Sequence, residues 1–181
     1  MRWCISDRFD PFTRPFADRH YNRQKIGTKQ FVPPGRCLVL RTTSAFWITY
    51  YPEFASHRWR GAWICSAFRN EGVERSSDLI LEAIAATVAK WSPPPRIESW
   101  IIVRRLHDRT IIERDVIAMV TFVDRSKVRP KRDPGRCYRR AGFEEAGTTI
   151  KSKLIVLVLR TARLPPPVPA HPVQGALWGS T

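Results

Sequence analysis

The residues best suited to acid–base chemistry lie in one segment, residues 119–147, which reads MVTFVDRSKVRPKRDPGRCYRRAGFEEAG. The apolar run at 119–123 predicts a short buried strand that ends at Asp124. Open sheets bind ligands beyond the carboxyl ends of their strands, so Asp124 could bind a metal or act as a general base. The simpler alternative is that Asp124 only caps the loop that follows.

A short helix is predicted next. Asp133 is its expected N-cap and Pro134 its first residue, where a missing N–H costs nothing, and Gly142 is the expected stop. Tyr138 lies one turn into this helix and could donate a proton or orient a cofactor; it could also simply pack under the loop. Phe143 should return to the core, and residues 150–159 should form a strand.

A strongly basic loop separates the strand from the helix. In a chain this basic, next to Asp124, it is expected to contact phosphates rather than only water. Its candidate nucleic-acid-binding residues are Arg125, Lys127, Arg129, Lys131, Arg132 and Arg136.

A second candidate site is the join between a predicted strand at 62–68, buried on both faces, and an amphipathic helix at 78–91. Ser76 or Ser77 is the expected N-cap, and free amides at a helix N-terminus can hold a phosphate. The candidate cofactor-binding residues are Arg69, Asn70, Ser76 and Ser77. The alternative is a capped helix beside a solvated loop, with no ligand.

Composition limits the function further. The chain has 181 residues, 43% of them hydrophobic, which is enough for one domain with a real core. Its 31 Lys and Arg against 16 Asp and Glu give a net charge of +15, so a polyanion is the expected partner. The N-terminus lacks the apolar region of a signal peptide, and no apolar run approaches the ~18 residues that span a bilayer. We therefore expect a soluble cytoplasmic protein with no membrane partner.

The four cysteines show no metal-binding spacing and are interpreted as structural.

The predicted organisation has three parts. Residues 1–17 are expected to form an irregular N-terminal arm, residues 18–163 the catalytic domain, and residues 164–181 a flexible Pro-rich tail. Strands are predicted at 36–42 and 45–51, and residues 96–117 look like an inserted strand or hairpin.

The strand, the short helix ending in A-G-F-E-E-x-G and the following strand together resemble the C-terminal half of the GNAT acyltransferase fold. This resemblance implies an α/β (α+β) class with a mixed, mostly antiparallel central sheet flanked by helices. It places Tyr138 beside the acyl-carrying arm of a cofactor as general acid, and the cofactor pyrophosphate at the strand–helix join. The usual arginine/glutamine and glycine fingerprint at that join is not matched.

Four features in order resemble the Mom family of phage DNA-modification proteins, which are built on a GNAT-type fold. These are R-H-Y at 19–21, AFWITYY at 45–51, F-R-N-E followed by S-S-D-L-I, and T-F-V-D before G-R-C-Y-R-R-A-G-F. The resemblance covers roughly residues 19–160, with 96–117 as a departure. It implies transfer of an acyl-derived, carbamoylmethyl-type group to the exocyclic amine of adenine in double-stranded DNA, which protects the DNA against restriction in a bacterial host.

Carried onto this sequence, the resemblance puts His20, Tyr21, Asp124 and Tyr138 in one active cleft. It also implies an iron ion held by His20, Tyr21 and Asp124, a ligand set compatible with iron. An adjacent His and Tyr could reach one ion only in a loop or a helical turn, because neighbouring strand residues face opposite ways.

An enzyme of this kind must flip its target base out of the duplex or act on unpaired DNA. Trp47, Tyr50, Tyr51 and Trp59 are candidates for stacking on such a base, although at least half of them are expected in the core.

Two other functions stay open. One is an acyl-CoA-dependent N-acyltransferase acting on a small amine or a protein, and the other is a non-catalytic nucleic-acid-binding protein. The sequence leaves the donor open, acyl-CoA or another acyl or glycyl carrier, and leaves the oligomeric state open, a homodimer included.

Overall fold

The computed structural model describes residues 1–51, 62–91, 117–128 and 133–172, together with the backbone of two strands between them. Three helices are described, namely α1 (Arg14–Asp18), α2 (Ser76–Lys90) and α3 (Arg136–Arg140). Two 3-10 turns lie at Arg125–Lys127 and Thr161–Arg163. The strands are β1 (Cys4–Ser6), β2 (Cys37–Arg41), β3 (Ala45–Tyr50), β4 (Trp63–Asn70), β5 (Ile102–Leu106), β6 (Arg109–Glu113), β7 (Ile117–Val123), β8 (Glu144–Thr148) and β9 (Ile155–Arg160).

Seven of these strands form one sheet in the order β1-β2-β3-β4-β7-β9-β8. Its pairs are antiparallel except for β4 and β7, which run parallel. This confirms the predicted α+β class with a mixed, mostly antiparallel sheet. The remaining pair, β5 and β6, is an antiparallel hairpin within the segment predicted as an insertion.

The parallel pair separates part-way along its length. β4 and β7 are paired only from Trp63 with Met119 to Cys65 with Thr121, although β4 continues to Asn70. At the same point the β3–β4 register slips, so that Ile48 pairs with Ala67 and Thr49 with Cys65. Ser66 is therefore an extra residue in β4, a β-bulge of the kind that bends a strand and is frequent beside functional sites. The bend and the lost pairing open a cleft between two central strands.

Both faces of the sheet are covered, as the alternation of side chains in its strands requires. Leu40, Trp47 and Trp63 face α2 in the larger core cluster, with Leu79 and Ile84 on the helix. On the other face, Val39, Phe46 and Ile48 pack with Ala17 of α1 and with Phe31 and Val32 from the segment that joins α1 to β2.

The N-terminal residues are part of this core, and the predicted irregular arm is wrong. β1 pairs with β2, and Trp3 is fully buried with its indole N–H donating to the carbonyl of Leu79 at 2.9 Å. The predicted flexible tail is also wrong for residues 164–172. The N–H of Ile5 donates to the His171 carbonyl at 2.7 Å, and that of His171 to the Trp3 carbonyl at 2.9 Å. Trp3 is the sequence signal that could have indicated this docking, since so large an apolar side chain favours burial.

Three local predictions need correction around the helices. α2 begins at Ser76 with Arg75 as its N-cap, so neither Ser76 nor Ser77 caps it. α3 begins at Arg136 after the left-handed Gly135, because the Asp133 carboxylate pairs with the Arg139 side chain instead of capping the helix.

Two strand predictions also need correction. β4 is only half-buried along most of its length, since it borders the cleft. The strand predicted at 150–159 starts too early: residues 149–154 form the turn between β8 and β9, and β9 begins at Ile155. Among the described residues, no helix is long and apolar enough to cross a membrane.

Candidate active site

A cavity of about 540 Å³ lies where β4 and β7 separate, and we call it the cleft cavity. It is bounded by the free ends of both strands, the N-terminus of α2, the loop before α3 and the turn after α1. Its lining residues are His20, Tyr21, Ser66, Ala67, Phe68, Arg75, Ser76, Ser77, Thr121, Phe122, Val123, Val128, Asp133, Gly135, Arg136, Cys137, Tyr138 and Arg140. His20, Tyr21 and Tyr138 thus lie on one cavity despite their distance in sequence.

Tyr138 is a buried polar group of the cavity. Its side chain packs edge-on against Phe68 and Phe143, and its hydroxyl lies 3.6 Å from the Cys65 sulfur. Burial, with the neighbouring Cys65 and Cys137 thiols, holds the pKa of Tyr138 well above its ordinary value. The phenol is therefore protonated at neutral pH and can donate a hydrogen bond, and the raised pKa makes it a weaker acid than a free tyrosine.

His20 and Tyr21 lie in the turn that follows α1, and their rings stack with centroids 4.5 Å apart. Nδ1 of His20 accepts the backbone N–H of Asn22 at 3.2 Å, and the ring also hydrogen-bonds the backbone of Phe68. Burial, assisted by the charge of Arg69, lowers the pKa of His20 to about 4. The imidazole is consequently neutral at pH 7.

Asp124 is placed differently from the expectation. Its carboxylate accepts the backbone N–H of Ser126 at 2.9 Å and the Ser126 hydroxyl at 2.6 Å, and it is not among the side chains that line the cleft cavity. These bonds lower the pKa of Asp124, which weakens it as a base. Its backbone hydrogen-bonds Tyr21, so the residue borders the site while its carboxylate caps the 3-10 turn.

The expected iron ligands do not form a ligand set in this arrangement. Both hydrogen-bonding positions of the His20 ring are in use, the Asp124 carboxylate binds Ser126, and burial raises the pKa of Tyr21, which disfavours a phenolate. Within the described part of the chain, no cluster of three or more His, Cys, Asp or Glu side chains could hold a metal ion.

The candidate cofactor-binding residues divide into two pairs. Ser76 and Ser77, in the first turn of the long helix α2, line the cleft cavity. Arg69 and Asn70 do not: Arg69 binds Glu71 at 2.6 Å and the Arg19 carbonyl at 2.6 Å. The Asn70 side chain holds the following loop together through the Glu74 carbonyl, Ser76 and the N–H of Gly72.

Three arginines give the cleft cavity a positive rim, and sequence reasoning found only one of them. Arg75, Arg136 and Arg140 are exposed, and among the described residues none of their side chains is in an ion pair. Arg136 and Arg140 are one helical turn apart and so share a face of α3, a spacing that could have identified Arg140. Arg125 and Lys127 are exposed on the adjoining 3-10 turn, whereas Arg129, Lys131 and Arg132 lie outside the described residues.

The aromatic candidates for base stacking are dispersed. Trp47 is fully buried in the core, and Tyr51 packs against Trp91 with Arg36 over its ring. Trp59 lies outside the described residues, and Tyr50 borders a separate cavity.

The cysteines are free. Burial raises the pKa of the Cys65 thiol to about 12, so this residue is not an activated nucleophile.

Comparison with protein-family models finds no match. No significant match is found among curated proteins or among solved structures.

Proposed function

We propose that this chain is a GNAT-like transferase that attaches an acyl-derived, carbamoylmethyl-type group to the exocyclic amine of adenine in double-stranded DNA, and so protects the DNA against restriction. The observation that carries the proposal is the cleft between two splayed parallel strands, with a protonated tyrosine inside it and a rim of free arginines. A phage-encoded protein acting in the bacterial cytoplasm fits this activity.

The cleft suits an extended donor with a phosphate-bearing end. Beyond Cys65 and Thr121 the facing edges of β4 and β7 no longer pair with each other, so an amide-containing arm could hydrogen-bond to them as an added strand would. Ser76 and Ser77, at the N-terminus of the 15-residue α2, lie at one end of the cavity with Arg75. Helix amides and a guanidinium together favour a phosphate or diphosphate. Acyl-CoA meets these requirements, and any other acyl or glycyl carrier would have to meet them too.

Tyr138 would act on the group that leaves. When a donor thioester reacts with an amine, a carbon–nitrogen bond forms, the carbon–sulfur bond breaks, the amine loses a proton and the thiolate gains one. The first product is an N-acyl adenine, so a carbamoylmethyl product requires isomerisation of a transferred glycyl group. The protonated Tyr138 hydroxyl would donate a hydrogen bond to the departing sulfur, and solvent would supply the proton that the thiolate gains. Iron remains an implication of the family resemblance alone and has no part in this step.

DNA is the acceptor that best fits the charge. The net charge of +15 exceeds what a small-molecule enzyme requires, and the exposed Arg75, Arg136 and Arg140 continue towards Arg125 and Lys127 on the neighbouring turn. Such a surface binds phosphates without reading sequence. The target base would have to leave its stack to reach the donor.

The direct test is to express the chain in bacteria, digest the cellular DNA to nucleosides and search for a deoxyadenosine of increased mass. We expect the modified nucleoside with the wild-type chain and its loss with Tyr138→Phe, which keeps the ring packing and removes the hydroxyl. A matched control is Tyr51→Phe, since Tyr51 packs on Trp91 away from the cleft. Unmodified DNA from cells that contain folded wild-type protein would contradict the proposal.

The second candidate is an acyl-CoA-dependent N-acyltransferase acting on a small amine or a protein, favoured by the same helix N-terminus and Arg75. It predicts tight CoA binding, transfer to amines without DNA and no altered nucleoside. A non-catalytic nucleic-acid-binding protein would bind DNA equally well with Phe at 138.

A further inference from the structure

The chain has a second, larger cavity of about 730 Å³, which we call the loop cavity. It lies on the opposite face of the sheet from α2, between β3 and the segment that joins α1 to β2. Its volume falls in the range of small-molecule sites. Of the functional residues expected from the sequence, His20 is the one that borders both cavities within the described part of the chain.

The two cavities share a wall. His20, Ser66 and Ala67 line both, at the bulge where β4 leaves β7. Asn22 secures this wall by donating from Nδ2 to the Ser66 carbonyl at 3.2 Å. The two cavities therefore adjoin at these three residues.

The lining of the loop cavity excludes one class of acceptor. Among the described residues that line it none is Asp or Glu, and of its two cationic side chains Arg23 is ion-paired with Asp18 at 2.7 Å while Lys25 is exposed. An aliphatic amine is cationic at neutral pH and would enter beside Lys25 without a carboxylate in the lining to balance its charge. A neutral aromatic amine brings no positive charge into the cavity. If it carries a phosphate, Lys25 can form an ion pair with that phosphate.

The remaining lining fits a planar heteroaromatic ring. Phe31, Phe46 and Tyr50 give the cavity an apolar, aromatic floor. Gln24 lines it with a primary amide, for which no hydrogen bond is found within the described residues. A glutamine amide is the side chain that pairs in bidentate fashion with N6 and N7 of adenine.

We infer that the loop cavity is the acceptor site, in which Gln24 reads the edge of an adenine base, the aromatic floor receives its ring and Lys25 contacts its phosphate. This inference rests on the proposed function, because it names the cavity that presents the amine to the donor. It also predicts that the enzyme rejects aliphatic amines.

The test measures binding of deoxyadenosine monophosphate to the full chain by calorimetry, without a donor. We expect Gln24→Leu to weaken binding by about tenfold or more, since one bidentate base contact is lost. Lys25→Gln should weaken binding of the nucleotide and leave binding of the nucleoside unchanged. Lys29→Gln is the matched control, because Lys29 lies in the same segment but outside the cavity lining. Gln24→Glu is a second variant of nearly the same size, which should weaken binding comparably.

A second arm uses a 7-deazaadenine nucleotide, which lacks the N7 acceptor. It should bind the wild-type chain more weakly than the adenine nucleotide, and the difference should disappear in Gln24→Leu. An unchanged difference, or spermidine that competes with the nucleotide, would overturn the assignment.

The two proposals fail in different ways. A nucleotide that binds through Gln24 but is never modified contradicts the proposed function and leaves the base site intact. Modification of DNA at an unchanged kcat/KM in Gln24→Leu contradicts the base site and leaves the proposed function intact.

Discussion

His20 shows how a single residue ties chemistry to stability. Its pKa is lowered from 6.5 to about 4 in the folded chain, so the unfolded chain binds a proton more readily. The contribution of neutral His20 is therefore fully present above pH 6.5 and is lost as the pH falls through about 4. At roughly 1.4 kcal/mol per unit, this amounts to about 3 kcal/mol of unfolding free energy.

The check is urea unfolding of the wild-type chain and His20→Gln at pH 7 and pH 4. Other acidic groups titrate in both proteins, so the difference between the two pH dependences isolates His20. We expect the variant to lose less stability on acidification. Equal losses would mean that His20 is not held neutral by its surroundings.

Residue types alone could not have separated the site residues from the structural ones. The family resemblance, rather than residue type, implied that His20, Tyr21 and Tyr138 lie together, and all three line the cleft cavity. The positions of Arg69 and Asn70 looked equally suitable. Their side chains bind Glu71 and the turn after β4, partners that only the folded loop brings within reach. Asp124 was similarly ambiguous, because a capping carboxylate and a catalytic one follow a buried strand in the same way.

At the scale of elements, the position of α3 depends on Gly135. This residue adopts φ +78°, and a Cβ there would lie 2.7 Å from Cδ1 of Leu157. Gly135→Ala should therefore cost the backbone strain of a left-handed residue, about 1–2 kcal/mol, and a steric clash in addition. Gly27→Ala is the matched control, since Gly27 has the same φ and nothing within 4 Å of such a Cβ.

Thermal or urea unfolding of both variants separates the two contributions. We expect Gly135→Ala to lose clearly more stability than Gly27→Ala and to lose the proposed transferase activity as Tyr138 shifts. Equal destabilisation would show that Leu157 moves aside without consequence for α3.

The elements that could be predicted are those whose formation depends on residues within the same segment. α2 and strands β2, β3 and β7 followed from apolar periodicity within each segment. The bulge at Ser66 could not be foreseen, because it is a mismatch in register between β3 and β4 rather than a property of either strand. The β8–β9 hairpin was missed because Glu144 and Glu145 look unlike a strand, and Glu144 is ion-paired with Arg160 and Arg163, which lie far from it in sequence.

For the molecule as a whole, the arginine rim should govern DNA affinity through counterion release. Arg75→Gln, Arg136→Gln and Arg140→Gln should each weaken binding similarly on different sequences and reduce the slope of log K against log salt by about 1. Lys151→Gln is the control, with the same loss of charge in the exposed turn between β8 and β9, outside the cleft cavity lining. Fluorescence anisotropy on a labelled duplex at several salt concentrations measures both quantities. If the slope falls equally in the control, DNA affinity depends on the net charge of the chain and not on the position of the three rim arginines.

The contact of residue 171 with the first strand has a consequence for biosynthesis. β1 is held by β2 on one side and by His171 on the other, and Trp3 fills the core only when α2 is in place. During translation, the backbone contacts of β1 can therefore be completed only after residue 171 has been synthesised. Trp3 stays exposed on the nascent chain until α2 is available to cover it.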